Sequence, residues 1–209
     1  MKNKKIKYAQ SRLQKKILLL SALLLLSAVV WFDKTFHPLL KTSVPASISQ
    51  NSDWNKYNEK IFVVVKVVDG DTIDINVPDG NFPDTRIRLL GVDTPETKNP
   101  HTKVMYFGPE ASKFTSDTVL GQIVFVVMDE KSKPRDKYHR LLCHIRLADG
   151  RILNEELVSQ GFAYADTRFP HSFYEKYIRL EKTAREEKKG LWEKVTPDQM
   201  PQWRQKIEK

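Results

Sequence analysis

The sequence predicts an α+β domain, a small β-barrel or curled sheet that carries helices. Two patterns predict it. Segments with strand signatures come first, and segments with helical signatures are inserted between and after them. At 209 residues the chain holds one domain of ordinary size plus appendages, and a domain of that size needs no disulfide staples.

The elements follow in order. Ile61 to Val68 is valine-rich and reads as a strand. Thr72 to Val77 alternates, with Ile73, Ile75 and Val77 on one side and Thr72, Asp74 and Asn76 on the other. Pro78-Asp79-Gly80 has turn chemistry. The chain returns through Arg86-Ile87-Arg88-Leu89-Leu90, which puts Ile87 and Leu89 on one face and both arginines on the other. Ile123 to Met128 and Leu141 to Leu147 complete the strands, the latter with Leu141, Cys143, Ile145 and Leu147 as its apolar set. One helix is expected near Pro109 to Leu120 and a second from Asn154, read as its N-cap, to Gln160, with Gly161 as its stop. A third has a capping-box pair in Ser172 and Glu175, a stripe of Phe173, Tyr177, Leu180 and Ala184, and Gly190 beyond a basic last turn.

The first sixteen residues contain seven Lys/Arg and no acid, and an almost wholly apolar run follows from Ile17 to Phe32. That pattern targets a membrane. We read 1–32 as a basic leader and an apolar anchor helix that leaves the rest extracytoplasmic, with secretion after signal-peptide cleavage as the alternative. Residues 33–58 mix Pro, Ser, Thr and Asn without a period and read as a linker. The folded domain is expected over 59–193, followed by a polar tail over 194–209 that adds little.

The net charge of +9 suggests an acidic partner until it is located. Residues 1–53 carry nine Lys/Arg and two Asp, so the remainder holds 26 basic and 24 acidic residues. Composition therefore does not show a globally basic nucleic-acid clamp, and any phosphate affinity in the body must come from locally placed groups. The single cysteine, Cys143, excludes an intramolecular disulfide and reads as a small core side chain. His37, His101, His144 and His171 show no metal-ligand spacing and read as structural or solvated.

Three segments place charge where a buried strand does not ordinarily tolerate it. They are Asp69-Gly70-Asp71-Thr72, Arg88 to Thr97 with its Asp93-Thr94-Pro95-Glu96 centre, and Asp136-Lys137-Tyr138-His139-Arg140. Each alone is a common turn or helix start. Their order and spacing together resemble the staphylococcal nuclease (thermonuclease) family, from about Ile61 to Trp192. So do Thr97-Lys98-Asn99-Pro100, Gly108-Pro109-Glu110-Ala111 and the stretch from Asn154-Glu155 to Gln160-Gly161. The resemblance implies a five-stranded OB-fold barrel with three helices. It also implies a Ca2+-dependent nuclease that cuts DNA and RNA to leave 3′-phosphate and 5′-hydroxyl ends. No obligate protein partner is implied, and a monomer is expected.

Phosphodiester hydrolysis needs a cation on the phosphate, a base for the water and donors for the growing charge. Asp71 and Asp93 are hard carboxylates at the ends of different strands and suit Ca2+. By the resemblance, the backbone carbonyl of Thr94 adds a third ligand, and Glu96, beyond Pro95, is the general base. Arg88 and Arg140 offer bidentate phosphate contacts, which the resemblance places on the scissile phosphate. Lys137 and Tyr138 match positions that hold a terminal phosphate. Two departures bear on affinity. His139 stands where the family usually has glycine, and the loop Tyr164 to Pro170 is one residue short, without a clear counterpart of a substrate-facing tyrosine. The Phe169-Pro170 bond falls at a cis-capable X-Pro whose isomer the sequence leaves open. A non-catalytic nucleic-acid or protein platform and a membrane-tethered scaffold are the alternatives; the presence of Asp71, Arg88, Asp93, Glu96 and Arg140 favours the enzyme.

Overall fold

Val64, Ile73, Ile75, Ile87, Leu89, Val124, Val126, Leu141, Cys143 and Ile145 are withdrawn from solvent around one centre. They are the inward positions of five strands that close into a barrel in a computed structural model of the chain, which describes residues 46–97 and 104–208. The strands are β1 (Ile61–Asp69), β2 (Thr72–Ile75), β3 (Thr85–Leu89), β5 (Ile123–Val127) and β6 (Leu141–Leu147), in the order β1-β2-β3-β6-β5. All pairs are antiparallel except β3 with β6. A separate short pair joins β4 (Val92–Asp93) to β7 (Tyr164–Ala165), with Asp93 opposite Tyr164. Closure removes the exposed sheet edges that an open sheet of this size would carry.

The predicted α+β barrel is present. Both faces of β2 are buried, including Thr72 and Asp74, because the outer face is covered: Arg86, the cross-strand partner of Asp74, pairs with its carboxylate at 2.8 Å. Cys143 is buried, as expected of a small core side chain, and burial pushes its thiol pKa up.

Five helices are described: α1 (Ala46–Tyr57), α2 (Gly108–Val119), α3 (Leu153–Ser159), α4 (Tyr174–Glu186) and α5 (Gln202–Gln205). Two cap expectations fail. Helix α3 begins at Leu153, and Asn154 is wholly buried, its side chain accepting from the Ile145 N–H and donating to the Leu90 carbonyl. Helix α4 begins at Tyr174 without a side-chain cap, and the Ser172 hydroxyl donates to Asp129. In both cases a buried polar group elsewhere competes for the capping side chain.

The segment read as a linker carries α1 from Ala46. Its aperiodic polarity conceals two anchors. Tyr57 is fully buried with its hydroxyl 3.0 Å from that of Thr85, and Asp53 takes a bidentate contact from Arg135, which also pairs with Asp79. The polar tail likewise packs: buried Arg204 of α5 pairs with Glu181 of α4 at 2.6 Å. The apolar run Ile17 to Phe32, His37 and His101 lie outside the described residues. Among the described residues no helix is long and apolar enough to cross a membrane. The Phe169-Pro170 bond is trans.

His139 adopts φ 63°, the left-handed conformation that glycine enters without a side-chain penalty. His139→Gly is therefore expected to stabilise the fold by about 1 kcal/mol, read as a higher midpoint in urea unfolding.

Candidate active site

The turn between β1 and β2 and the short strand β4 aim carboxylates at one cleft. Gly70 opens that turn, and a Cβ there would fall 2.7 Å from the Thr94 hydroxyl. The absence of a side chain lets the Thr94 segment close over Asp71. The Thr94 N–H donates to Asp71 Oδ2 at 2.9 Å, and the Thr72 hydroxyl donates to Asp71 Oδ1. Asp71 and Thr94 are both buried, and the Thr94 hydroxyl has no hydrogen-bond partner.

Arg88 spans the carboxylates. It lies on the outer face of β3, Cα partner of Thr72. Its Nη2 is 2.7 Å from Asp93 Oδ1 and 3.1 Å from Asp71 Oδ2, while Nη1 donates to the carbonyls of Leu89 and Val92. Burial alone would weaken the guanidinium's hold on its proton, but Asp71 and Asp93 outweigh it and the pKa is raised. Asp93 is pushed up to about 6, first by burial and then by the charge of Asp71, against the opposing pull of Arg88.

Glu96 joins the same cluster through a neighbour. Asp69, the last residue of β1, accepts from the Gly70 N–H and the Thr97 hydroxyl and shares a hydrogen bond with Glu96. Two carboxyl groups can bond only if one carries a proton. Burial, that bond and the charge of Asp71 push Asp69 up to about 7.

Arg140 is reached by strand pairing. Leu142 of β6 is the Cα partner of Arg88, so Arg140, two residues earlier, continues onto the face that carries Arg86 and Arg88. Its Nε donates to Asp136 Oδ2 at 2.7 Å, and its guanidinium lies over the ring of exposed Tyr138, as does the Lys137 ammonium. The eight predicted site residues thus fall into two groups on one side of the barrel. Asp71, Arg88, Asp93, Thr94 and Glu96 form the cleft, and Lys137, Tyr138 and Arg140 share the turn before β6.

Three further residues, none of them among the eight, reach the cleft. Asp69 looks like part of an ordinary Asp-Gly turn. Arg168, from the shortened loop, pairs with Asp166 at 2.7 Å and lies 3.4 Å from Asp93 Oδ1. Trp203, in the tail, donates its indole N–H to Asp93 Oδ2 at 2.7 Å and carries Arg168 over its ring. Nothing local distinguishes a functional tryptophan from a packing one; only the fold brings it to Asp93.

The donors fit a hard divalent cation. Two carboxylates within hydrogen-bond reach of one Nη2, beside a buried unpaired hydroxyl, are an all-oxygen set with excess negative charge. The raised pKa of Asp93 comes first from its burial, with the charge of Asp71 adding to it.

A titration consequence follows for the metal-free chain. The folded pKa of Asp69, about 7, exceeds its ordinary value of 3.8, so the folded state keeps a proton that the unfolded state releases. The resulting stability is complete below the ordinary value and lost as pH rises through about 7. Asp93, raised to about 6, acts in the same direction. In chelator the Tm should fall between pH 5 and 8, and Asp69→Asn should flatten that slope. An unchanged slope in the variant would assign the effect to other groups.

The family model described as staphylococcal nuclease homologue matches residues 86–194. The thermonuclease of Staphylococcus hyicus is 37% identical over 136 residues, covering 65% of this chain and 77% of its own length. That of Staphylococcus intermedius is 39% identical over 134 residues, covering 64% and 76%. Endonuclease YncB of Bacillus subtilis (strain 168) is 33% identical over 165 residues, covering 70% and 76%. With half of its length matched by the family model and its barrel built to the same plan, the chain belongs to the staphylococcal nuclease homologue family.

Proposed function

We propose that this chain is a Ca2+-dependent nuclease that hydrolyses phosphodiester bonds of DNA and RNA with little sequence preference, leaving 3′-phosphate and 5′-hydroxyl ends. Its relatives are named thermonucleases and endonucleases. The observation that carries the finer reading is the Asp71–Arg88–Asp93 cluster beside the Asp69–Glu96 pair.

The carboxylates of Asp71 and Asp93, with Thr94, would hold Ca2+, which supplies positive charge for the phosphate and its attacking water. Glu96 takes the proton of that water, and Asp69 in its acid form donates to Glu96 and orients it. Arg88 turns its guanidinium from the carboxylates to the phosphate oxygens, where paired N–H donors match developing charge. Arg140, held by Asp136, binds the same phosphate. Lys137 and Tyr138, on the exposed turn, receive a terminal phosphate. The leader over 1–32 places this chemistry outside the cytoplasm, with the domain tethered to the membrane.

The test is digestion of single-stranded DNA and of RNA by the full chain with Ca2+, with chelator, and with Glu96→Gln. Cutting should require Ca2+ and fall by roughly 100- to 10,000-fold in the variant. Binding without cutting, indifferent to Ca2+ and to the variant, would make the barrel a nucleic-acid platform. Trp203→Phe keeps an aromatic ring under Arg168 but deletes the donor to Asp93. It should weaken Ca2+ binding about tenfold in a calorimetric titration; equal affinity would leave Trp203 a packing residue.

A further inference from the structure

Asp129 follows β5, His144 lies in β6 and His171 precedes α4, yet all three side chains meet in the interior. His144 is 0% exposed, His171 3% and Asp129 7%. One ligand atom from each lies within 4.8 Å of the other two. One ring nitrogen of each histidine, His144 Nε2 and His171 Nδ1, is buried without a hydrogen-bond partner of good geometry. Proteins rarely leave buried imidazole nitrogens in that state.

The spacing of one pair is that of ligands. His144 Nε2 stands 3.4 Å from Asp129 Oδ2, long for a hydrogen bond. A tetrahedral ion with ligands at about 2.0–2.1 Å holds them roughly 3.3–3.4 Å apart. His144 and Asp129 also have second partners that orient them. The Nδ1 of His144 is 2.8 Å from the Tyr177 hydroxyl. If that oxygen accepts the Nδ1 proton, the Nε2 lone pair is free to face Asp129. Asp129 is positioned by N–H groups of Lys131 and Ser172 and by the Ser172 hydroxyl. Burial would raise the pKa of Asp129, but the neighbouring His144 and the bonds from Ser172 and Lys131 outweigh it and hold the carboxyl low. Burial and the neighbouring His144 lower His171 to about 4, so near neutrality the set is one carboxylate and a neutral imidazole at His171.

We propose that Asp129, His144 and His171 form a binding site for a borderline transition-metal ion of the Zn2+ class. The calcium-type cleft is a separate site. Imidazole nitrogens select such ions over Ca2+, which takes oxygen ligands. Three protein ligands leave the fourth position to a water. The ion fastens the end of β5, the middle of β6 and the chain that runs from Arg168 into α4. It also acts beside β4: a Cβ at Gly91 would fall 2.3 Å from His171 Nε2, so the histidine is wedged against the turn that leads to Asp93.

The experiment strips the full chain with chelator and titrates it with Co2+ as a spectroscopic probe. One equivalent should give the intense visible absorption of a four-coordinate ion, undiminished in Asp93→Asn and about 100-fold weaker binding in His144→Gln. Zn2+ should displace the Co2+ and raise the Tm by roughly 5–10 °C at a hundredfold excess over its dissociation constant. A second measurement needs no variant: 113Cd added to 15N-histidine-labelled chain should couple to one Nε2 and one Nδ1. A six-coordinate Co2+ spectrum, binding lost in Asp93→Asn but kept in His144→Gln, or no Nδ1 coupling would each overturn the site and leave a buried hydrogen-bond cluster.

Discussion

Like charges in a common cleft set the terms for everything built around them. Asp71 and Asp93 come from different strands, and each lies within 3.1 Å of the same arginine nitrogen. Such a pair is unfavourable in a half-dry cleft unless a cation stands between the carboxylates. The barrel supplies one in Arg88 and pins it with two backbone carbonyls, from Leu89 and Val92. A divalent ion bound there would satisfy the same carboxylates with more charge and would leave the guanidinium to meet a phosphate, as the proposed function requires. Conflict at rest and function under load thus arise from a single arrangement.

The barrel's topology makes that arrangement affordable. Parallel pairing of β3 with β6 sets Arg88 beside Leu142, while Ile87 pairs with Leu141 on the buried face. Period-two alternation then divides the same strands between core and cleft: every second residue packs inside, and the charged residues between them line the outside. A one-residue slip in β3 would bury Arg88 and expose Ile87 and Leu89, so the core enforces the register on which the cleft depends. His144 shows the limit of this division. It neighbours Cys143 and Ile145 in β6 yet is wholly buried, because α4 covers that outer face with Tyr177.

These rules also explain what the sequence does and does not reveal. The strand over residues 61–68 is legible from its valines, and those within 72–90 and 141–147 from the alternation of an apolar with a more polar face. The charged motifs are legible because carboxylates and arginines interrupt those strands in a spacing known from a family. Helix α1 is hidden because its anchors, Asp53, Trp54 and Tyr57, sit in a polar stretch without a helical apolar period. The caps of α3 and α4 mislead because Asn154 and Ser172 satisfy buried groups far away in the chain. The Asp129–His144–His171 cluster is invisible to spacing for a related reason, since its members are brought together by the fold alone.

The C-terminal segment illustrates how a fold can extend its own site. The family match ends at residue 194, but the chain continues to Trp203, which bonds to Asp93, and to Arg204, which pairs with Glu181. Glu181 in turn accepts the Ala165 N–H from β7, the strand paired with β4. The tail therefore grips both members of the short sheet that presents Asp93. Arg168, from the loop that follows β7, lies over the Trp203 ring and approaches the same carboxylate. Two oxygens of Asp93 consequently face three donors, from Arg88, Arg168 and Trp203, which limits the orientations the carboxylate can take. The loop that follows β7 and the tail beyond residue 194 thus act on the same side chain, and both restrict the geometry of one carboxylate.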